Sequence, residues 1–178
     1  MARGAKVLGI DGSLTNSGFC RLDTEFPTRP VASTCSPKSK DGQRLDHILQ
    51  YTLRELEEFR PALAVLEGYA YGTKVGRVFE IGEGGGMIKL ALYIHKVPTL
   101  VVPPTKLQLY IAEKGRVPKE KMREVILTET GVEFPEKPSA GHMCDAYCLA
   151  LLGAAFLGYE TPLDNERRLL MVDNLEYA

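Results

Sequence analysis

Apolar runs and turn residues alternate at the start of the chain and predict three short β-strands. Residues 6–11 form an apolar run that stops at Gly12, and residues 19–22 alternate apolar and polar side chains after the turn residues 16–18. Two such runs joined by a polar turn are typical of a β-hairpin. Residues 31–35 form a third candidate strand. This part of the chain is therefore predicted to be an antiparallel meander.

Between residues 45 and 102, segments whose apolar residues have helical periodicity alternate with continuous apolar runs. Apolar side chains recur every three or four positions between residues 45 and 59, which predicts an amphipathic helix that ends before Pro61. Residues 62–67 and 99–102 are apolar without alternation, as in strands covered on both faces, and a helical segment that ends near Ile94 lies between them. Strands joined by helices pair in parallel through right-handed crossovers. We therefore expect an α/β fold with a mixed five-stranded sheet flanked by helices.

Three further helical patterns follow the last predicted strand. A short one lies near residues 106–112, an amphipathic one at about 119–130, and a long apolar one at about 139–157. No internal repeat or linker divides the chain. The simplest organisation is one domain of residues 1–158 and a charged C-terminal extension of residues 159–178.

Composition and charge exclude several broad classes. The 178 residues carry 22 Lys and Arg against 23 Asp and Glu, and 44% of them are hydrophobic, which is ordinary for a globular protein and excludes a disordered, collagenous or coiled-coil chain. No apolar stretch of about 18 residues and no signal-peptide core are present, so we expect a cytoplasmic protein without membrane contact. The cysteines lack metal-site spacing and are predicted to be small buried side chains: Cys20, Cys35, Cys144 and Cys148.

Four polar residues stand where burial is costly unless they have a role. Asp11 and Glu67 end predicted strands, and the apolar helix contains Asp145 with His142 three residues earlier, on one face. Carboxyl ends of parallel strands form the usual crevice of α/β sheets. Oxygen-rich donors suit Mg²⁺ or Mn²⁺, and two such ions roughly 4 Å apart activate water for attack on a phosphodiester. Taken singly, Asp11 also fits a turn, Glu67 an ion pair and His142 a helix-end residue.

The order of these motifs resembles the RuvC family of Holliday junction resolvases over about residues 5–157, most closely the small RuvC-like resolvases of bacteriophages. The resemblance is carried by Gly9-Ile10-Asp11-Gly12-Ser13, Leu66-Glu67, the helix from Gly84 to Ala91, Pro103-Pro104-Thr105-Lys106, and His142-Met143-Cys144-Asp145-Ala146. It implies an RNase H-like fold. It also implies that the catalytic and metal-binding set is Asp11, Glu67, His142 and Asp145.

The activity implied by the resemblance is metal-dependent endonuclease cleavage in DNA recombination, repair or phage DNA processing. Paired symmetric nicks would leave 5′-phosphate ends, with Mg²⁺ as the cofactor, two ions per site, and Mn²⁺ as a substitute. The implied partners are four-way or branched DNA and a second copy of the chain, with residues 84–95 as the candidate dimer helix. A phage-encoded member would act in the host cytoplasm.

The chain differs from bacterial members at two motifs. Its sequence is Asp-Gly-Ser at the end of the first strand and Gly-Tyr-Ala-Tyr-Gly after Glu67.

Basic and aromatic side chains in the predicted loops are candidates for DNA contact. Phosphates favour clustered cations even in a neutral protein, and by resemblance Lys106 and Lys119 match lysines near the active site. The basic candidates are Lys74, Arg77, Lys106, Lys114, Arg116, Lys119 and Lys121, and the candidates for base stacking are Tyr69, Tyr71 and Phe79. Solvated surface charges and half-buried loop anchors are the alternatives.

Three other functions remain open from the sequence. A nuclease with broader targets, such as forks and flaps, would carry the same residues. The Asp11-Gly12-Ser13 turn also resembles the phosphate-binding hairpin of actin-like ATPases and sugar kinases, which need about twice this length, and the glycine-rich residues 82–86 lack the ending of a P-loop. A non-catalytic junction-binding protein on the same fold is the third alternative.

Overall fold

The computed structural model describes residues 4–69, 78–113, 117–135, 140–172 and 175–177. Its centre is a five-stranded sheet with the order β3-β2-β1-β4-β5. The first three strands pair antiparallel, and β1, β4 and β5 pair in parallel, which confirms the predicted mixed sheet. The strands are β1 (Lys6–Asp11), β2 (Ser17–Asp23), β3 (Val31–Cys35), β4 (Leu63–Glu67) and β5 (Thr99–Val102).

Helices cover both faces of the sheet. On one face α1 and α2 enclose a cluster that includes Leu8, Ile10 and Leu66. The opposite face carries α5, with α3, α4 and α6 around it. No helix in the described ranges is long and apolar enough to cross a membrane. The helices are α1 (Asp41–Phe59), α2 (Val78–Ile94), α3 (Pro104–Ala112), α4 (Lys119–Thr130), α5 (Ala140–Phe156) and α6 (Glu166–Val172).

The glycine-rich residues 82–86 lie inside α2, whereas the helix predicted from the sequence began only at residue 84. The helix begins six residues before that, at Val78. Glycine weakens a helix because it gives up more backbone freedom, and tertiary packing offsets that cost here. A Cβ on Gly84 would reach ordinary contact distance from Ile48 of α1, at 3.4 Å. Gly84 is therefore buried against α1 at a spacing that would also admit a Cβ.

Helix α5 lies directly on β1 and β2 because two glycines remove the side chains between them. A Cβ on Gly9 would overlap the carbonyl oxygen of Ala146 and stand 2.7 Å from the amide nitrogen of Ala150. A Cβ on Gly18 would overlap the carbonyl oxygen of His142. The first turn of α5 is therefore held over the end of the β1–β2 hairpin.

The four cysteines are buried free thiols, as predicted. Burial raises the pKa of Cys20 and Cys148 well above the ordinary value and the pKa of Cys35 to about 11. A thiol with a raised pKa stays protonated at neutral pH and is a poor nucleophile and metal ligand. These cysteines therefore act as packing residues.

The described part of the C-terminal extension packs on the rest of the chain. Leu163 and Val172 are buried in the cluster around α5, and Tyr177 forms a β-bridge with Leu100 of the edge strand β5. The buried Arg168 of α6 ties neighbouring elements together. It donates hydrogen bonds to Glu129 of α4 at 2.5 Å and to the carbonyl oxygens of Ile111 and Leu163, both at 2.7 Å. The boundary after residue 158 stays a prediction.

Replacing Arg168 by alanine is expected to lower the free energy of unfolding by about 2 kcal/mol, because two buried carbonyls and a carboxylate lose their donor. Arg167→Ala is the matched control, since its side chain is 77% exposed and lies 3.7 Å from Glu113; we expect a change of less than about 0.5 kcal/mol. Urea unfolding followed by circular dichroism measures both. Equal losses for the two variants would contradict the anchoring role of Arg168.

Candidate active site

Two carboxylates end neighbouring parallel strands at the same edge of the sheet. Asp11 is the last residue of β1 and Glu67 the last residue of β4, and the residues before them, Ile10 and Leu66, are register partners. Successive side chains alternate between the faces of a strand. On β1, Asp11 points to the same face as Val7, and on β4, Glu67 points to the same face as Val65. Both valines pack in the cluster around α5. Asp11 and Glu67 therefore lie on the face that α5 covers.

The first turns of α5 bring the other two candidates to this edge. His142 Nδ1 lies 2.6 Å from Asp11 Oδ2, although the residues are 131 positions apart in the chain. An ionised carboxylate only accepts hydrogen bonds, so beside an ionised Asp11 the ring nitrogen Nδ1 is the donor. Asp145 follows one helical turn later on the same side of α5. Asp11 is 4% and Asp145 is 7% exposed, so both carboxyl groups are largely shielded from water.

The donor types at this edge fit a hard divalent cation. Three carboxylates and an imidazole are present, and Mg²⁺ prefers carboxylate oxygen. Within the described ranges, no three His, Cys, Asp or Glu side chains converge closely enough to hold a metal ion. Mg²⁺ keeps several of its waters and is bound through one or two carboxylates rather than by a complete protein cage. The residues present therefore suit this ion without a preformed three-ligand cluster.

A shallow pocket opens beside Glu67, between the ends of β1, β4 and β5 and the glycine-rich half of α2. Tyr69 forms one wall. Its hydroxyl donates a hydrogen bond to the Gly82 carbonyl oxygen at 3.4 Å, and the Lys89 ammonium lies 5.2 Å from the centre of its ring. Sequence reasoning did not single out Lys89, which lines this pocket. The lining residues are Gly12, Leu66, Glu67, Gly68, Tyr69, Gly85, Lys89 and Val101.

The predicted DNA-contact residues are only partly brought to this edge in the described structure. Lys106 stands in the first turn of α3, directly after β5, which pairs with β4 next to Glu67. Lys119 is the first residue of α4, and its side chain is not described. Phe79 on α2 is exposed, and Lys121 pairs with Glu124 at 2.9 Å. Outside the described residues lie Tyr71, Lys74, Arg77, Lys114 and Arg116.

Comparison with curated proteins finds relatives that share most of the chain. The crossover junction endodeoxyribonuclease RuvC of Parasynechococcus marenigrum is 25% identical over 152 residues, which cover 83% of this chain and 97% of the relative. The RuvC of Carboxydothermus hydrogenoformans is 26% identical over 157 residues, which cover 86% of this chain and 98% of the relative. This chain is similar to RuvC crossover junction endodeoxyribonucleases over most of its length. No family model matches it. The resemblance predicted from the motifs is thereby confirmed, while a closer likeness to bacteriophage members stays a prediction.

Solved structures extend the RuvC likeness to the fold. The Thermus thermophilus RuvC in complex with Holliday junction substrate superposes with a TM-score of 0.75 at 20% identity, covering 98% of this chain and 99% of that one. The yeast mitochondrial Holliday junction resolvase Ydc2 superposes with a TM-score of 0.56 at 14% identity, and the match covers 97% of this chain and 82% of that one. The fold of this chain is RNase H-like, as predicted.

Proposed function

We propose that this chain is a metal-dependent endonuclease that resolves four-way DNA junctions by paired symmetric nicks. The observation that carries the proposal is the 2.6 Å contact between His142 and Asp11 at the carboxyl end of β1, with Glu67 and Asp145 at the same edge. The names of the relatives and the DNA-bound neighbour support a junction substrate. The place of action is the cytoplasm, and the host cytoplasm for a phage-encoded chain.

The proposed roles follow from the chemistry of each side chain. Asp11, Glu67 and Asp145 would hold Mg²⁺, with Mn²⁺ as a substitute and two ions per site. Bound metal supplies Lewis acidity that activates water and offsets charge on the phosphodiester. His142 donates through Nδ1 to Asp11, which orients the ring and leaves Nε2 of the neutral ring as the proton acceptor. The proposed products are a 5′-phosphate and a 3′-hydroxyl.

DNA phosphates need cations near this acidic edge. The formal net charge of the chain is −1, so binding depends on where the basic residues lie and not on their total. We propose Lys106, Lys119, Lys74 and Arg77 as phosphate contacts and Tyr69 and Tyr71 as contacts to bases. Junction affinity should therefore fall as salt concentration rises.

The exposed side of α2 supports a homodimer. Phe79, Leu90 and Tyr93 share one side of this helix, and they are 79%, 42% and 81% exposed. Gly86 lies among them with open space around its Cα, so a second helix can approach closely. We propose that a second copy of the chain covers this side. A two-fold dimer would place two active sites on the two symmetric strands of a junction.

Replacing Tyr93 by glutamate is expected to convert the dimer to monomers, because a charge at the centre of an apolar contact loses its hydration. Sedimentation velocity at micromolar concentration measures the change. Phe26→Glu is the control, since Phe26 is 51% exposed in the loop between β2 and β3, away from α2. The proposed interface would be contradicted if the wild-type chain sedimented as a monomer, or if the Tyr93→Glu variant still sedimented as a dimer.

Cleavage of labelled DNA tests the proposed function directly. A four-way junction, a fork and a duplex of equal length are incubated with the protein in Mg²⁺ or in EDTA. Paired nicks in the junction that require Mg²⁺ are the expected result. Equal cutting of forks would favour the broader branched-DNA nuclease, and tight junction binding without a cut in Mg²⁺ or Mn²⁺ would favour the non-catalytic binding protein.

A further inference from the structure

The first two residues of β2 flank the contact between Asp11 and His142. Gly18 is the register partner of Asp11 in the β1–β2 pair, and antiparallel partners project from the same face of a sheet. Both residues therefore face α5. Ser17 precedes Gly18, so its side chain projects from the other face, where it is fully buried. Two consecutive residues of one strand thus lie on opposite faces of the sheet beside the end of β1.

Gly18 sets how closely the backbone of His142 approaches β2. A Cβ at position 18 would overlap the carbonyl oxygen and carbonyl carbon of His142 and stand 3.1 Å from its Cβ. These atoms belong to the backbone and to the base of the side chain, so no rotamer change moves them away. A side chain at position 18 would push His142 away from β2 and from Asp11. The 2.6 Å contact between Nδ1 and Oδ2 therefore depends on a glycine at this position.

Ser17 closes the turn that follows Asp11. Its hydroxyl accepts a hydrogen bond from the backbone amide of Ser13 at 3.0 Å and donates one to the Ser13 carbonyl oxygen at 2.6 Å. A second hydroxyl, that of Ser36 after β3, donates to Asn16 Oδ1 at 2.6 Å. The turn is therefore held from within and from the next strand. Because Ser13 is two residues after Asp11, fixing Ser13 limits movement of the backbone that carries Asp11.

Both constraints act on a contact that neither element fixes by itself. Asp11 ends a strand and His142 lies in the first turn of a helix, 131 positions later. Mg²⁺ demands near-ideal octahedral geometry from the groups around it, and a misplacement of about 1 Å can cost about 100-fold in rate. The distance between the two side chains therefore has to be set by the residues packed around them.

We propose that Ser17 and Gly18 are positioning residues of the candidate metal site. Gly18 sets the depth at which α5 seats His142 against Asp11, and Ser17 fixes the turn that continues from Asp11. Both act through other residues and contact neither metal nor DNA in this role. The effect on cleavage rests on the proposed nuclease function, whereas the geometry of the contact is measured without metal or DNA.

The hydrogen bond between His142 and Asp11 gives the first test. A proton on Nδ1 that is held by a carboxylate exchanges slowly with water and is observed at low field in the nitrogen-edited proton NMR spectrum of protein with labelled histidine. The chain has three histidines, and His142→Gln assigns the signal. We expect the signal in the wild type and its loss in Gly18→Ala. A wild type without the signal, or a Gly18→Ala protein that keeps it, would overturn the proposal.

Gly153→Ala is the matched control, because it adds the same methyl group to the other end of α5. A Cβ at position 153 would stand 2.5 Å from Val65 Cγ2 and 2.8 Å from Val7 Cγ1, so this variant also disturbs packing between α5 and the sheet. Thermal unfolding should show that both variants are less stable than the wild type. Gly153→Ala should keep the signal of His142. Loss of the signal in both variants would overturn the specific role of Gly18.

Single-turnover cleavage of a junction in Mg²⁺ gives the second test. Gly18→Ala is expected to lower the rate about 100-fold and Ser17→Ala about tenfold, with junction affinity in EDTA unchanged. Ser17→Ala is the milder variant, since it removes a hydroxyl and adds no atom. Thr52→Ala is its control, because it removes a buried hydroxyl that donates to the Ile48 carbonyl oxygen at 2.8 Å within α1. A Ser17→Ala protein that cuts as fast as Thr52→Ala would overturn the role of Ser17.

The positioning role and the nuclease function fail in different ways. A wild-type protein whose His142 signal is lost in Gly18→Ala, but which does not cut in Mg²⁺ or Mn²⁺, would overturn the nuclease function and support the positioning of His142. A wild-type protein that cuts junctions, with Gly18→Ala unchanged in signal and rate, would overturn the positioning role alone.

Discussion

Replacing Asp11 by asparagine is expected to lower the rate of Mg²⁺-dependent junction cleavage about 1,000-fold, which corresponds to the several kcal/mol that a metal supplies to such a reaction. The substitution keeps the shape of the side chain and leaves an amide oxygen that accepts the hydrogen bond from His142 Nδ1. It removes the negative charge that the proposed metal requires. Because the shape and the hydrogen bond are kept, the fold and the affinity for junctions should change little.

Single-turnover cleavage of a labelled junction measures this effect, and thermal unfolding shows whether the variant is folded. Asp46→Asn is the matched control, because Asp46 is an exposed residue of α1 that accepts a hydrogen bond from Gln50 at 3.4 Å. A folded Asp11→Asn protein that cuts within about threefold of the wild-type rate would show that the charge of Asp11 is not needed.

Replacing Gly9 by alanine is expected to lower the free energy of unfolding by about 3 kcal/mol or more, because overpacking against backbone has little room to relax. The added methyl group would overlap the Ala146 carbonyl oxygen and stand 2.7 Å from the Ala150 nitrogen. Neither atom can rotate away as a side chain can. Helix α5 must move from β1, and His142 and Asp145 move with it, so cleavage should fall together with stability.

Urea unfolding and cleavage assays on the same samples measure both effects of Gly9→Ala. Gly42→Ala adds an equal methyl group in the first turn of α1, where nothing lies within 4 Å. Alanine is the better helix former, so this control should be as stable as the wild type or more stable by up to about 1 kcal/mol. Equal stability of Gly9→Ala and the wild type would contradict the close packing of α5 on β1.

Most elements were predictable because their signals are local. Alternation over a few residues marked the β1–β2 hairpin, and apolar runs without alternation marked β4 and β5. The start of α2 was the main error. Its glycines favour a loop by intrinsic preference, and they are helical here because Gly84 packs on α1 and Gly85 makes room for Tyr69. Such contacts join residues from different parts of the chain, which a local pattern does not report.

The sequence by itself determined the order of the elements and the residue types at the functional edge. Asp11 and Glu67 end apolar strands, and parallel pairing of those strands then brings their ends together. The resemblance to RuvC came from motifs that lie in this order, and the comparisons confirm it. The roles of the four residues in metal binding and catalysis stay predictions with the tests given above.

Only the tertiary structure decided which side chains touch. The contact between His142 and Asp11 spans 131 positions and exists because Gly9 and Gly18 let α5 lie against the strands. The pocket lined by Glu67, Tyr69 and Lys89 depends on the placement of α2 against the end of β4. The buried Arg168 connects α6 with Glu129 of α4 and Ile111 of α3. Periodicity follows from the geometry of one helix or strand, whereas these contacts follow from how several elements share a core.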